Sequence, residues 1–442
     1  MTATTHLPPG PDRLSLDDSA RMARNPLPLL LAAYENYGPV FTVRVLGGPQ
    51  VFALGPEATH RMLVGNAGNY VWRAGEMSDL VPLLGDGLLT IDGPAHRRMR
   101  RLVLPAFHRE SIAAMAATVA EEAERAVAGW RPGETVDVHG WARTVAMRIA
   151  MRALLGLDPD DGDTGGRAAR EFERALAFYG TDRLARRSHE PGSPLRRFEA
   201  AREALDRIVY AQIARRRRAG DGRGDILAML LGARDDDGRA LDDREIRDQL
   251  LTLMFAGHDT TASTISFLLY ELARNPEERA LLQAVADRAP GAAPGLAGTA
   301  NRLEDAIDET LRLYPPAWVG PRLALAEDTL AGVRVPAGAR VNYCSWATHR
   351  LPDLWSEPDR FDPARFADER AAALPKGAYV PFGGGSRTCV GMRFAHLEIR
   401  ALATAILGRC TPELQSDHQM TVRPMPTLRP EGALHMTVRP RQ

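Results

Sequence analysis

Lysine is almost absent. The 442 residues contain one, Lys376, and arginine supplies the rest of the 56 basic side chains. An arginine-dominated basic set suggests a GC-rich, bacterial coding sequence. Acidic side chains also number 56, so no net field draws nucleic acid. Cysteine is scarce too. Cys344, Cys389 and Cys410 are too few and too scattered for a disulfide framework or a zinc site, which fits a reducing cytoplasm. Long hydrophobic runs are missing, since nothing approaches the ~20 apolar residues of a membrane span. Residues 28–34 are apolar and follow Arg21 and Arg24, but the stretch is short and Glu35 follows with no small-residue cleavage site. The expectation is a cytoplasmic protein without a signal peptide or membrane anchor. No repeat and no dividing linker is visible. The Gly- and Pro-rich stretches 218–225 and 288–300 read as loops, giving one domain over 1–442 with residues 1–12 as a disordered leader.

What is present is a chain 45% hydrophobic and 25% charged, enough to bury a large core. Helical patterns dominate. Residues 26–37, 111–130, 141–155, 165–180, 194–218, 242–274, 301–313 and 392–407 each read as helices. Residues 40–45 and 51–54 flank Gly47-Gly48-Pro49-Gln50, a hairpin signal. Residues 330–335 and 341–343 flank a Pro336-Ala337-Gly338 turn as a second hairpin, and 420–437 reads as a terminal strand pair. Between 74 and 91, apolar residues mix with Gly85 and Gly87 without a sustained period, fitting either a surface loop with one core-facing side or a cover over a pocket.

The chemistry concentrates at residues 382–391, Phe-Gly-Gly-Gly-Ser-Arg-Thr-Cys-Val-Gly. A lone cysteine on a glycine-rich loop that opens a helix suits a held thiolate, because unpaired N–H groups at a helix N-terminus lower a thiol pKa. Gly383, Gly384 and Gly385 permit a tight loop, Gly391 leaves room for a large flat ligand, and Phe382 can shield the sulfur. A second unusual stretch is Ala256-Gly257-His258-Asp259-Thr260-Thr261, in the middle of a helix about 50 Å long. Gly weakens a helix there, and the Thr260 hydroxyl can reach back to the Ala256 carbonyl, opening a groove. His96 and Arg100 share a face of a helix that Asp92 can cap. Glu309 and Arg312 likewise share a face.

These motifs, in this order, resemble the cytochrome P450 family over nearly the whole chain. The cysteine stretch matches Phe-x-x-Gly-x-Arg-x-Cys-x-Gly through Phe382, Gly385, Arg387, Cys389 and Gly391. The resemblance implies a mainly α fold with small β-sheets, a triangular helical prism around buried haem b. Cys389 is then the axial thiolate ligand of the iron, and Ala256 faces the haem. His96, Arg100, Arg322 and Arg387 hold its propionates. Thr260 hydrogen-bonds the oxygen under activation, and Asp259 relays protons to it. Glu309, Arg312 and Arg365 of Pro363-Ala364-Arg365-Phe366 form a buried frame behind the cysteine loop. The family often has Glu at the Ala364 position. Leu83, Leu84, Ala317, Trp318, Val319, Met425 and Pro426, with Thr427 beside them, are the pocket candidates. The helix pair 165–180 and 194–218 becomes a lid, with Phe172, Leu176, Phe178 and Tyr179 facing the pocket. His258 is expected to be structural.

The implied reaction is hydroxylation or other oxidation of a small apolar molecule with O2 and two electrons. A fatty acyl chain, a terpenoid and a secondary-metabolite intermediate all fit. No reductase segment is recognisable, so a ferredoxin or flavodoxin with its reductase is the expected electron source, docking near Arg97, Arg98 and Arg101. Arg183, Arg186, Arg187, Arg196 and Arg197 could attract an anionic substrate tail or an acidic acyl carrier protein. The expected state is a monomer. A peroxide-driven haem-thiolate enzyme, against which the Asp259-Thr260 pair argues, and a non-catalytic haem-binding sensor are the alternatives.

Overall fold

The computed structural model describes residues 6–181, 185–220, 224–287, 300–415 and 418–441; Arg183 lies outside them. Its longer helices are α1 (Leu16–Arg24), α2 (Leu27–Tyr37), α3 (Gly93–Val103), α4 (Arg109–Ala128), α5 (Val138–Leu155), α6 (Gly165–Tyr179), α7 (Pro194–Ala219), α8 (Asp243–Arg274), α9 (Ala300–Leu313) and α10 (Met392–Arg409). A five-stranded sheet contains β1 (Val40–Val45), β2 (Gly48–Ala53), β3 (Tyr70–Val71), β4 (Val319–Ala324) and β5 (Arg340–Cys344), in the order β1-β2-β5-β4-β3. Near the C-terminus, β6 (Val422–Arg423) and β7 (Arg429–Pro430) make a short hairpin. The expectation of a mainly helical chain with small sheets holds.

Helix α8 organises the core. Asp242 caps it in a capping box with Glu245, which satisfies two end groups at once. Most of its residues from Ile246 to Leu272 are buried, among side chains of α4, α5, α7, α9 and α10. Polar residues such as Arg247, Gln249, His258 and Ser266 are buried along it beside the apolar ones, and burial on every side explains its weak one-sided pattern. No helix among the described residues is long and apolar enough to cross a membrane.

Four local expectations change. Residues 8–11 are ordered against β1, where Thr42 N and Oγ1 donate to the carbonyls of Pro9 and Pro8 and Arg44 Nε donates to that of Pro11. The leader there is an edge strip satisfying β1, not a free tail. Residues 328–330 pair with 333–335, while β5 joins the large sheet between β2 and β4. The Pro336–Gly338 turn is therefore a crossover, since β5 finds a longer partner in β4. The terminal strand pair reduces to β6–β7, because His435–Pro440 pairs with residues 410–414 and 135–137. Asp92 stands at the N-cap of α3 but makes no side-chain cap hydrogen bond; its carboxylate serves the site described next.

Candidate active site

Cys389 sits between a 3-10 turn (Gly385–Arg387) and α10. Gly383 and Gly385 have φ of +70° and +61°, and a Cβ on Gly385 would lie 2.2 Å from the Leu63 carbonyl oxygen. Glycine is thus required there by both backbone and contact. Cys389 N donates to Phe382 O at 2.9 Å, and Arg100 Nη2 donates to Thr388 O at 2.7 Å, closing the loop onto α3. The thiol pKa is raised, mainly by burial, although the Gly391 N–H, Arg100 and the Met392 N–H pull it down. The expected lowering at the helix start is therefore overridden. Yet Cys389 keeps an exposed surface. A side chain deep among protein atoms with free surface lines an internal void.

Free surface also interrupts the burial of α8. Phe255, Ala256, Gly257 and Thr260 are only partly buried, whereas residues 246–254 and 261–272 are buried. Ala256 and Thr260 are four apart and share a face. Thr260 Oγ1 donates to Ala256 O at 2.6 Å, as the sequence suggested, and the helix nonetheless runs unbroken from Asp243 to Arg274. The bond back along the helix is made without the expected opening.

Asp259 points elsewhere. Its carboxylate pairs with Arg143 of α5 and, at 3.1 Å each, with Arg429 Nη1 and Thr427 Oγ1 of the β6–β7 hairpin. Arg143 also holds Glu173, which meets His258 Nε2 at 3.0 Å. Asp259 lies at a cavity of about 330 Å³ lined also by His139, Phe255, Leu176 and Arg423. Burial, with Arg143 nearby, pushes the His139 pKa down to about 4, so it is neutral. Nothing in the sequence marked Arg143 or Arg429, whose roles come only from tertiary contact.

His96, Arg100, Arg322 and Arg387 converge near the cysteine loop. Arg387 donates to the carbonyls of Leu88 (3.1 Å) and Ile91 (2.7 Å) and to Asp92 (2.6 Å). Arg322 is buried, stands over the Trp72 ring at 3.7 Å, and has a pKa lowered by burial. Burial, then the charges of Arg387 and Arg100, push His96 down to about 4. The cluster has three guanidiniums and one carboxylate, Asp92. Buried cations without matching anions are costly, so this donor set calls for an anionic ligand.

The Glu309–Arg312 pair is fully buried, with 2.7 and 2.9 Å contacts to both carboxylate oxygens. Arg365 Nε approaches Glu309 at 3.4 Å. Arg312 also donates to the carbonyls of His349, Pro358 and Arg360. His349, unmarked by the sequence, accepts from Val380 N at 2.9 Å, and Val380 O accepts from Gly383 N. The frame thus reaches the cysteine loop through one imidazole.

Among the pocket candidates, Ala317 is exposed and Val319 half-buried, while the Trp318 between them packs with Phe267 and Trp346 and donates its indole N–H to Pro424 O. Strand alternation thus turns Trp318 away from the two. Leu83 and Leu84 are wholly enclosed in the main core and show no free surface. Met425 is 51% exposed, and Pro426 lines the Asp259 cavity. Phe172 is buried, while Phe178 stacks on Phe198 of α7 and Tyr179 meets the same ring edge-on.

An accessible buried thiol, a partly uncovered stretch of the central helix, and an anion-seeking arginine cluster together fit haem b. Comparison with known proteins agrees. The family model described as Cytochrome P450 matches residues 18–437. The cyclooctat-9-en-7-ol 5-monooxygenase of Streptomyces melanosporofaciens is 35% identical, covering 92% of this chain and 89% of that protein. The cyclooctatin synthase of the same organism is 34% identical, covering 95% and 91%. The crystal structure of the cytochrome P450DA heme domain superposes with a TM-score of 0.88 at 26% identity, covering 99% of this chain and 98% of that one.

Proposed function

Because the chain belongs to the cytochrome P450 family and is a monooxygenase of that family, we propose that it oxidises an apolar, cyclic terpenoid-like molecule, using O2 and electrons from a separate ferredoxin or flavodoxin system. The observation that carries the haem-thiolate assignment is Cys389, enclosed and yet accessible, at the start of α10. Haem b would be held by Cys389 and by His96, Arg100, Arg322 and Arg387, and would supply the reductive cleavage of O2. Names of two relatives refer to cyclooctat-9-en-7-ol and cyclooctatin, which favours the terpenoid class over a fatty acyl chain.

The protein's own part is positioning and proton control. Thr260 Oγ1 gives its proton to the Ala256 carbonyl, so its lone pairs are free to accept a hydrogen bond from the void side. Asp259 collects protons from the cavity beside it. It passes them to Thr260 only after its carboxylate leaves Arg143 or Arg429, so these two arginines set when the relay acts. Glu309 and Arg312 keep the cysteine loop in place through His349. The electron donor meets the exposed Arg97, Arg101 and Arg393, while Arg98 is committed to Asp235 and Glu245.

The reduced protein with carbon monoxide tests the assignment. The red-shifted thiolate band is expected, and Cys389→Ser should lose it; its retention in the variant would refute Cys389 as the ligand. A panel of cyclic terpenoids and fatty acids, scored by the Soret shift on binding, tests the substrate class, and a response to fatty acids alone would overturn it.

A further inference from the structure

The register of the large sheet sets a residue that the mechanism above leaves unused, Trp72, beside one that it uses, Arg322. Tyr70 pairs with Ala324 and Val71 with Leu323, so the next residues along, Trp72 and Arg322, lie side by side. The Arg322 guanidinium stands 3.7 Å from the centroid of the Trp72 ring, and that of Arg387 stands 5.3 Å from it. Asp92 fixes the arrangement from below. Its carboxylate accepts from Trp72 N at 3.0 and 3.1 Å, from Arg73 N at 2.9 Å and from Arg387 Nη2 at 2.6 Å. Arg322 also donates through Nη1 to the carbonyl of its neighbour Pro321 and shares a hydrogen bond with Tyr343, whose ring lies 5.4 Å from the guanidinium.

We propose that Trp72 is a positioning residue for the propionate edge of the haem, its ring holding Arg322 and Arg387 together without neutralising them. The inference rests on the haem-thiolate reading above. Two guanidiniums this close repel. A carboxylate at position 72 would relieve the repulsion but would compete with the propionates for the same donors. An aliphatic residue would leave the repulsion in place. An indole attracts both cations through its ring quadrupole, carries no formal charge, and leaves the N–H donors free to meet an anion. The cluster is thereby set before the ligand arrives, and less ordering remains to be done on binding. The indole Nε1 is buried and meets no acceptor among the described residues. The ring face, not the N–H, is the working part.

Haem transfer from the purified holoprotein to excess apomyoglobin, followed in the Soret region, tests this. Trp72→Leu should release haem about tenfold faster, and Trp72→Phe, which keeps a ring, within about threefold of the wild type. With haem dimethyl ester, whose propionates carry no charge, the difference between wild type and Trp72→Leu should vanish. Unchanged release from Trp72→Leu would overturn the proposal. So would an equal penalty with the ester, which would mark simple packing, or a Phe variant as leaky as Leu, which would mark the N–H as the working group. Should Trp72→Leu not accumulate as folded holoprotein, Trp72→Met takes its place. A wild-type protein with no Soret band would instead end the haem reading itself.

Discussion

Arg312 and Arg322 are both buried guanidiniums, and they are satisfied in different ways. Arg312 spends its donors on both oxygens of Glu309 and on three backbone carbonyls. Arg322 has one carbonyl, a hydrogen bond with Tyr343 and two aromatic faces, Trp72 at 3.7 Å and Tyr343 at 5.4 Å, and the neighbouring Arg387 adds like charge. A buried cation with every donor matched is architecture. One left with spare donors beside other cations is half of a binding site. Burial alone does not separate the two roles; the inventory of partners does.

The largest break in this contrast comes from the closed side. Glu309→Ala leaves Arg312 as an uncompensated buried charge and should cost about 3–5 kcal/mol, so that little folded, haem-loaded protein accumulates. Urea denaturation of whatever purifies is the check. On the open side, Arg322→Gln removes a cation that pairs with no carboxylate among the described residues and whose anion comes with the ligand. Haem release should rise about tenfold while the urea midpoint of the haem-free chain barely moves. Equal effects of the two substitutions on folding would erase the distinction.

A third buried group sharpens it. Glu398 of α10 is buried, and among the described residues its one hydrogen bond comes from Thr261 Oγ1 of α8 at 2.9 Å. With no cation to match it among the described residues, burial raises its pKa from 4.5 to about 8, against the Thr261 hydrogen bond. The folded chain therefore keeps this proton while the unfolded chain loses it above 4.5, and stability falls as pH rises between 4.5 and 8. Glu398→Gln removes that dependence. Its stability relative to the wild type should improve by about 1.4 kcal/mol per pH unit across that window, read from urea midpoints at pH 6 and 7. The smallest expected change is Arg429→Gln. It loosens one of two arginine contacts on Asp259 and should lower the solvent isotope effect on turnover by less than about twofold, without altering the urea midpoint.

The sequence made the helices, the cysteine loop and the Thr260–Ala256 bond legible, because each depends on local spacing or on a residue type at a fixed offset. It did not disclose that Asp259 turns to a hairpin 168 residues away at Thr427, that His349 joins the frame to the loop, or that Asp92 abandons its capping position for Trp72, Arg73 and Arg387. Those are contacts between segments far apart in the chain, and no periodicity records them. The placement of Leu83 and Leu84 failed for a related reason. Apolarity fits a pocket wall and a packed core equally well, and only the closeness of α8 decides. There, a Cβ on Gly85 would meet Asp248 and one on Gly87 would meet Thr252.

The β6–β7 hairpin touches two bodies at once. Arg423 Nη2 donates to Gly180 O at the end of α6, while Thr427 and Arg429 hold Asp259 on α8. A ligand that lifts this ribbon by even a single ångström would stretch both sets of bonds together. Whatever fills the space beneath it would therefore announce its arrival to the acid through the backbone, with no need to touch that acid.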